Sequence, residues 1–458
     1  MSNIYKAAFL ALMGMAATSC TKSGIEAQTP ATEKPEWTRN AVIYEVNWRQ
    51  FTDDGKVTSF ANHLPYLKEL GADILWFMPI HPISEVNRKG ELGSYYSVQD
   101  YKAVNPELGT LEEFKDMVKQ AHGLGMKVII DWVANHTGCD NVWLAEHPDW
   151  YAYDENGNLI QPWDWTDTYK LNYDNPDMRT AMTDAMKFWV KECDIDGFRC
   201  DVAFMVPMDF WLDVRAELEK IKPVFMLAEA SESWLLDGAF DMLYNWPAGF
   251  LFDRIYKGEK SIATLDTIVH TQLDTLAVDS YQMNHITNHD RNTWDGTEFE
   301  RLGDGVKAFA ALTYIMPGMP LIYTGQEVGY DHRYEFFKKD TPATLEKNEW
   351  WQFYNKLNTL KHERKSLRAG IEGGIWKTYS TSKPESVLAC SRVLGDEETL
   401  LIGNFSSEPV SFLYDYVPQG KYKNYLTGED FTFTSGDEQT LGPWEFMILV
   451  DIYRHSER

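Results

Sequence analysis

The sequence predicts an α/β protein: a (β/α)8 TIM barrel with a small insertion after the third strand and a C-terminal antiparallel β-sandwich. Three observations predict it. Four short apolar runs, rich in β-branched or aromatic residues, each close on an acidic or polar motif: KVIIDWVANH (127–136), DIDGFRCD (194–201), VFMLAEA (224–230) and MNHITNHD (283–290). Helix-length segments separate them, the alternation of strand and crossover that builds a parallel barrel. Beyond about residue 370 the rhythm changes to short β-rich segments.

Taken in order, the strand candidates are 41–46, 73–79, 126–131, 195–200, 224–229, 240–244, 281–287 and 319–323. Amphipathic helices are predicted between them at 59–70, 110–124, 176–192, 208–221, 259–275 and 303–315, with a short fifth connection at 231–239. Gly125 closes the second helix, and Pro317 and Pro320 mark the start of the last strand. Residues 137–175, rich in Trp, Asp, Asn and Tyr, are too long for a structureless loop and predict a small subdomain. A helix at about 349–366 precedes SVLACSRVL, TLLIGNFSS, VSFLYDYV and WEFMILVDIY, the strands of the sandwich from 371 to 458.

The amino terminus is a leader. Lys6 precedes an apolar stretch, Ala7 to Ala17, too short to span a membrane as a mature helix. Small residues then lead into Cys20, as in a bacterial lipoprotein cleavage box whose cysteine becomes lipidated. Residues 1–20 are therefore expected to be a signal peptide and 21–36 a tether, with the catalytic barrel at 37–370. A lipid on Cys20 implies attachment to the cell envelope, with the periplasmic face favoured because no acidic run follows the cysteine. The other cysteines, at 139, 193, 200 and 390, show no metal-ligand spacing and are expected to be buried thiols.

The chain has 458 residues, 44% of them hydrophobic, and a net charge of −26 from 69 acidic and 43 basic residues. That balance excludes a nucleic-acid backbone or an anionic membrane surface as the main partner. Most of the 17 Trp, 24 Tyr and 23 Phe fill the core, with a minority left to act as flat platforms.

The motifs resemble those of the α-amylase superfamily of retaining glycoside hydrolases, over about 37–458. DWVANH (131–136), GFRCD (197–201), the AEA containing Glu229 and TNHD (287–290) are similar to that family's motifs on strands three, four, five and seven. GSYYSVQDYKAVNPELGT (93–110) and GMPLIYTGQEVG (318–329) are similar to two further family segments. The resemblance implies Asp201 as nucleophile, Glu229 as acid/base and Asp290 as a ligand of the sugar hydroxyls. It also implies that Tyr96, His136 and His289 contact the first sugar, and Arg199 is expected with them among the substrate-binding residues. The implied substrate is a starch-type α-1,4-glucan or maltooligosaccharide. The alternatives are α-glucan transglycosylation, a neopullulanase or cyclomaltodextrinase type of action, and, outside catalysis, a silent glucan-binding protein.

The residues support that chemistry in their own right. Retention needs one ionised carboxylate and one protonated carboxylic acid about 5 Å apart. Arg199, two residues before Asp201 on a strand, points to the same side and would keep Asp201 ionised. Glu229 follows Phe225-Met226-Leu227-Ala228, an apolar setting expected to favour its acid form. Asp131 is expected to support the polar network, and Gln326 and Glu327 to stabilise the last loop. Two departures bear on metal. Phe204 and Met205 stand where family members often carry Lys-His, and Lys170 replaces an Asp before Leu171-Asn172. Calcium wants six to eight oxygens. No metal is therefore expected, and Asn135 alone could not hold one.

Overall fold

The computed structural model describes residues 34–452 apart from 417 and 419. The leader at 1–20, Cys20 and most of the tether lie outside the described residues. All eight predicted barrel strands are present: β1 Ile43–Val46, β2 Ile74–Phe77, β3 Lys127–Trp132, β4 Gly197–Cys200, β5 Phe225–Ala228, β6 Met242–Tyr244, β7 Tyr281–Asn284 and β8 Met319–Tyr323. They pair in parallel in chain order, and β8 closes the barrel on β1 with Leu321 opposite Ile43.

The runs are apolar throughout because both strand faces are buried. Ile43, Trp76, Ile129, Leu227, Met283 and Leu321 fill the barrel interior. Tyr44, Leu75, Val128, Phe198, Met226 and Ile322 pack outward in the main core, which the helices share. Gly197 opens β4 for a steric reason: a Cβ there would stand 1.9 Å from the Phe225 carbonyl oxygen.

The helices are α1 Val57–Ala61, α2 Leu64–Leu70, α3 Leu111–Gly123, α4 Pro176–Glu192, α5 Met208–Glu219, α6 Trp246–Tyr256, α7 Ala263–Thr275, α8 Val306–Ile315 and α9 Glu349–Glu363. Thr110 and Glu113 form a reciprocal capping box that starts α3. The structure departs from the sequence reading at one broken helix, at α6 and at two further short helices, Trp48–Phe51 and Glu298–Leu302, that were not predicted. The helix expected at 59–70 is broken into α1 and α2, because Pro65 in the first turn of α2 has no N–H to continue a helix. α6 was not predicted at all. Its sequence, WPAGFLFDRIY, has Pro247 and Gly249 within its first turn, residues that read as a turn, although a proline there breaks no helical hydrogen bond.

The insertion is a small subdomain. Strands His136–Gly138 and Thr168–Lys170 pair antiparallel, with a short helix Val142–Glu146 between them. The C-terminal strands are β9 Ile375–Thr378, β10 Val387–Leu394, β11 Glu397–Asn404, β12 Val410–Phe412, β13 Lys421–Asn424, β14 Asp430–Thr432, β15 Gln439–Leu441 and β16 Phe446–Asp451. They form a six-stranded antiparallel sheet, β9-β10-β11-β16-β13-β14, and a two-stranded sheet, β12-β15.

Strand alternation divides the six-stranded sheet's side chains between two cores. Leu388, Cys390, Leu401 and Ile448 join the main core, beside Phe309 of α8. Val387, Ala389, Leu400, Ile402 and Leu449 cluster with Phe412 and Leu441 of the smaller sheet, which makes the sandwich. Cys139, Cys193, Cys200 and Cys390 are buried thiols. Among the described residues no helix is long and apolar enough to cross a membrane.

Candidate active site

Arg199 organises the C-terminal mouth of the barrel. Within β4, Phe198 turns outward to the helices, so Arg199 turns inward and is fully buried. Asp131 lies directly opposite it on β3, and Nη1 donates to Asp131 Oδ1 at 2.8 Å. The same nitrogen donates to Asp201 Oδ1 at 3.0 Å, just past the end of β4. Nη2 lies 2.9 Å from Glu229 Oε2, past the end of β5, and Nε donates to Tyr244 Oη at 3.0 Å. Burial disfavours the charged guanidinium, but the charges of Asp131 and Glu229 outweigh that and raise its pKa further above its already high ordinary value.

One cation therefore serves three carboxylates. Burial, reinforced by the charge of Glu229, pushes Asp201 well above the usual carboxylate range, against the pull of Arg199. The sequence reading gave Arg199 the deciding influence on Asp201. In the folded protein its charge is divided with Asp131 and Glu229, so desolvation prevails. Burial likewise lifts Asp131 to about 6. The surroundings of Glu229 are also less apolar than expected. Besides Arg199, the backbone N–H of Val202 donates to its Oε2 at 2.9 Å. Val202 directly follows Asp201, so this bond holds the two carboxyl groups side by side. Val202 takes φ 37° and ψ 47°, a left-handed conformation costly for a β-branched residue.

A second chain of polar contacts leads away from Asp131. Tyr96 Oη donates to Asp131 Oδ2 at 3.0 Å and lies 2.8 Å from His289 Nε2. His289 Nδ1 meets Glu45 Oε1 at 2.5 Å, and Nε2 is 3.5 Å from Asp290 Oδ2. Burial disfavours a charged imidazole here, but Asp290 and Glu45 more than offset it and raise His289 to about 9. Burial raises Glu45 as well, opposed by the charge of His289 and by the hydrogen bond between them. Burial also raises Asp290, opposed by His289, and Trp294 Nε1 donates to its Oδ1 at 3.2 Å. His136, by contrast, has no acidic partner among the described residues, and burial lowers it to about 3, a neutral ring packed on Trp165.

These contacts sort the expected site residues into two groups. Tyr96, His136, Asp201, Glu229 and Asp290 line one pocket. Arg199 and His289, expected to touch substrate, lie behind that lining, 0% and 1% exposed, and act on its carboxylates and on Tyr96. Asp131 is confirmed as a hub, and Glu327 accepts from Tyr44 Oη and the Gly325 N–H, stabilising the last loop. Sequence reasoning missed Glu45, Phe336, Lys89 and Asp167. Glu45 carried a signal, a lone acid inside the apolar run AVIYEV; the other three lie on loops that show none. At the positions weighed for metal, Asn135 Nδ2 lies 3.2 Å from His136 Nδ1, and Lys170 pairs with His136 through the backbone.

A barrel presenting adjoining carboxylates at its C-terminal mouth defines this protein as a glycoside hydrolase. More particularly, the chain belongs to the α-amylase family: the model of the alpha amylase catalytic domain matches residues 47–170 and 149–369. It is 25% identical over 436 residues to the alpha-amylase MalA of Haloarcula japonica, covering 92% of this chain and 63% of the archaeal protein. The crystal structure of AmyB, a noncanonic maltogenic alpha-amylase from Thermotoga neapolitana, superposes with a TM-score of 0.83 at 29% identity, covering 90% of this chain and 99% of that one. An alpha-amylase from Lactobacillus plantarum superposes with a TM-score of 0.81, also at 29% identity, covering 91% and 100%.

The His289–Glu45 pair predicts a pH dependence of stability. The pKa of His289 is higher in the folded protein than its ordinary 6.5, so its stabilisation is complete below about pH 6.5 and is lost as pH rises through about 9. Urea midpoints measured at pH 6, 8 and 10 should fall across that interval. In Glu45→Gln the midpoint at pH 6 should be lower and the decline shallower. A Glu45→Gln curve parallel to that of the wild type would show that the pair is not ionised.

Proposed function

We propose that the protein is a retaining glycosidase that hydrolyses α-1,4-glucosidic bonds of starch-type glucans and maltooligosaccharides. The observation that carries this reading is the placement of Asp201 and Glu229 on the two ends of one guanidinium, in a pocket that also holds Asp290. Asp201 attacks the anomeric carbon while Glu229 gives its proton to the departing glycosidic oxygen. The bond to the leaving sugar breaks and a covalent bond to Asp201 Oδ forms. Glu229, now a carboxylate, takes a proton from water, whose oxygen displaces Asp201 and restores both groups. Asp290 binds hydroxyls of the distorted ring, and Tyr96 and His136 form the walls that hold it. Asp201 must react as a carboxylate, against the effect of burial, and the bond from Arg199 Nη1 is the contact that favours that state.

Asp201→Asn should lower turnover of maltooligosaccharides by roughly four orders of magnitude while circular dichroism stays unchanged. Glu229→Gln should lose as much on unactivated substrates but far less on those with a leaving group that needs no protonation. Proton NMR of the earliest product should show the α-anomer. A β-anomer, or more than about a tenth of wild-type activity in either variant on unactivated substrates, contradicts these roles.

The protein is further proposed to work without the family's calcium ion. Lys170 and Met205 offer an ammonium and a thioether where calcium needs oxygen. Excess EDTA should leave both activity and thermal midpoint where they stand in excess calcium. A drop of many degrees that calcium restores would reveal a site elsewhere, the insertion being the first place to look.

The location follows from the leader. We propose that lipid on Cys20 holds the mature protein on the cell envelope, with the periplasmic face favoured. The wild type should sediment with membranes and Cys20→Ser should not. A wild-type protein recovered wholly in the soluble fraction after export would favour ordinary signal cleavage.

A further inference from the structure

One rim of the pocket is built as a continuous wall. Lys89, on the loop after β2, reaches across to the insertion: its Nζ lies 3.1 Å from Asp167 Oδ1 and donates to the Asp164 carbonyl at 3.1 Å. Lys89 and Asp167 both line the pocket that holds the catalytic carboxylates. The Asp167 side chain is only 4% exposed, so this pair is partly desolvated and stronger than one on open surface. The next residue, Gly90, packs so closely on Phe337 that a Cβ would stand 2.4 Å from the Phe337 Cβ. Leu92 N donates to the Phe337 carbonyl at 2.7 Å, which joins this loop to the loop after β8.

The wall is also stapled from below. Arg49, buried just past β1, donates from Nη1 to the Gly93 carbonyl at 3.2 Å and to the Phe336 carbonyl at 3.1 Å. Phe336 in turn stacks on Tyr96, with centroids 6.3 Å apart and planes within 9°. The rim thus runs unbroken from the insertion through Lys89 and Phe337 to the Tyr96 ring.

Its position relative to the acid decides what it does. The wall rises from the loops after β2 and β8, the two neighbours of β1 in the closed barrel. Glu229 rises from the end of β5, four strands away and so diametrically opposite β1. The scissile oxygen must lie at the proton donor, with the leaving part of the chain beyond it on the Glu229 side. The sugar whose anomeric carbon reacts lies on the other side, toward the wall.

We infer that the rim made by Lys89, Asp167 and Phe337 closes the non-reducing side of the cleft, so that the enzyme acts on chain ends and not on the interior of a glucan. This rests on the α-1,4-glucan reading above. Lys89 is the specificity-determining residue, because its side chain makes the link at the pocket itself; Asp140, which accepts from the backbone N–H groups of Glu85 and Val86, and Ser97, which donates to the Asp167 carbonyl, join the same segments away from the pocket lining, so removing the Lys89 side chain opens the rim while the segments stay joined.

The test compares maltoheptaose, a maltoheptaoside blocked at its non-reducing end, and β-cyclodextrin, which has no end. Wild-type kcat/KM should be at least about 100-fold lower on the blocked and cyclic substrates than on maltoheptaose. Lys89→Ala should narrow that ratio at least about tenfold, and Lys89→Arg, which can re-form the pair, should restore it. Comparable rates on all three substrates in the wild type overturn the inference while leaving the α-1,4 reading intact. A ratio unmoved by Lys89→Ala overturns the role of the ion pair. Absence of cleavage of maltoheptaose itself overturns the α-1,4 reading and this inference together.

Discussion

The structure depends on a guanidinium sealed inside the mouth of a barrel. Arg199 is 0% exposed and faces Asp131, Asp201 and Glu229, whose charges it cannot neutralise one for one. Burying so many ionisable groups is expensive unless each finds a partner, and removing the one cation would leave three carboxylates in low dielectric. Lysine would not substitute: a single ammonium cannot address two carboxylates and the Tyr244 hydroxyl from fixed directions as the planar fork does. The fork therefore sets geometry as much as charge. It holds Asp201 and Glu229 beside each other before any substrate arrives, the pre-organisation that the proposed reaction calls for.

Around that centre, the first strand and the turn after it do much of the positioning. Glu45 charges His289, which faces Asp290 and Tyr96. Four residues on, Arg49 grips the loops after β2 and β8, and Gln50 Nε2 donates to the carbonyls of Glu335 and Lys338 at 2.8 Å each. One short segment thus fixes a catalytic carboxylate from beneath and the pocket rim from the side. Arg199 and His289, first read as binding residues, lie behind the pocket lining and hold groups that form it.

How the site became legible follows from what a linear pattern can encode. Asp201 and Glu229 directly follow the strands β4 and β5 and Asp290 lies six residues past the end of β7, and a parallel strand's C-terminal end always opens onto the same face of a barrel, so their convergence could be read without coordinates. Glu45 stood in view as a charge inside an apolar strand but lacked a sequence-local reason, because its partner His289 is 244 residues away. Lys89 and Asp167 were indistinguishable from any solvated pair of loop charges. The unpredicted α6 shows a related limit in secondary structure: Pro247 and Gly249 read as turn residues, and only the folded chain shows the proline sitting harmlessly in a helix's first turn.

The sequence by itself determined the number and order of the strands, the order of the catalytic motifs and the change to an antiparallel domain. These are consequences of local periodicity and of residues that end or begin elements. Only the tertiary structure decided how the charges are shared, which residues line the pocket, and on which side it is walled. Those properties depend on distances between segments far apart in the chain and on how much water each buried group has lost. Desolvation set against neighbouring charge lifts Asp201, holds His289 protonated and leaves His136 neutral. No spacing along the chain records that balance.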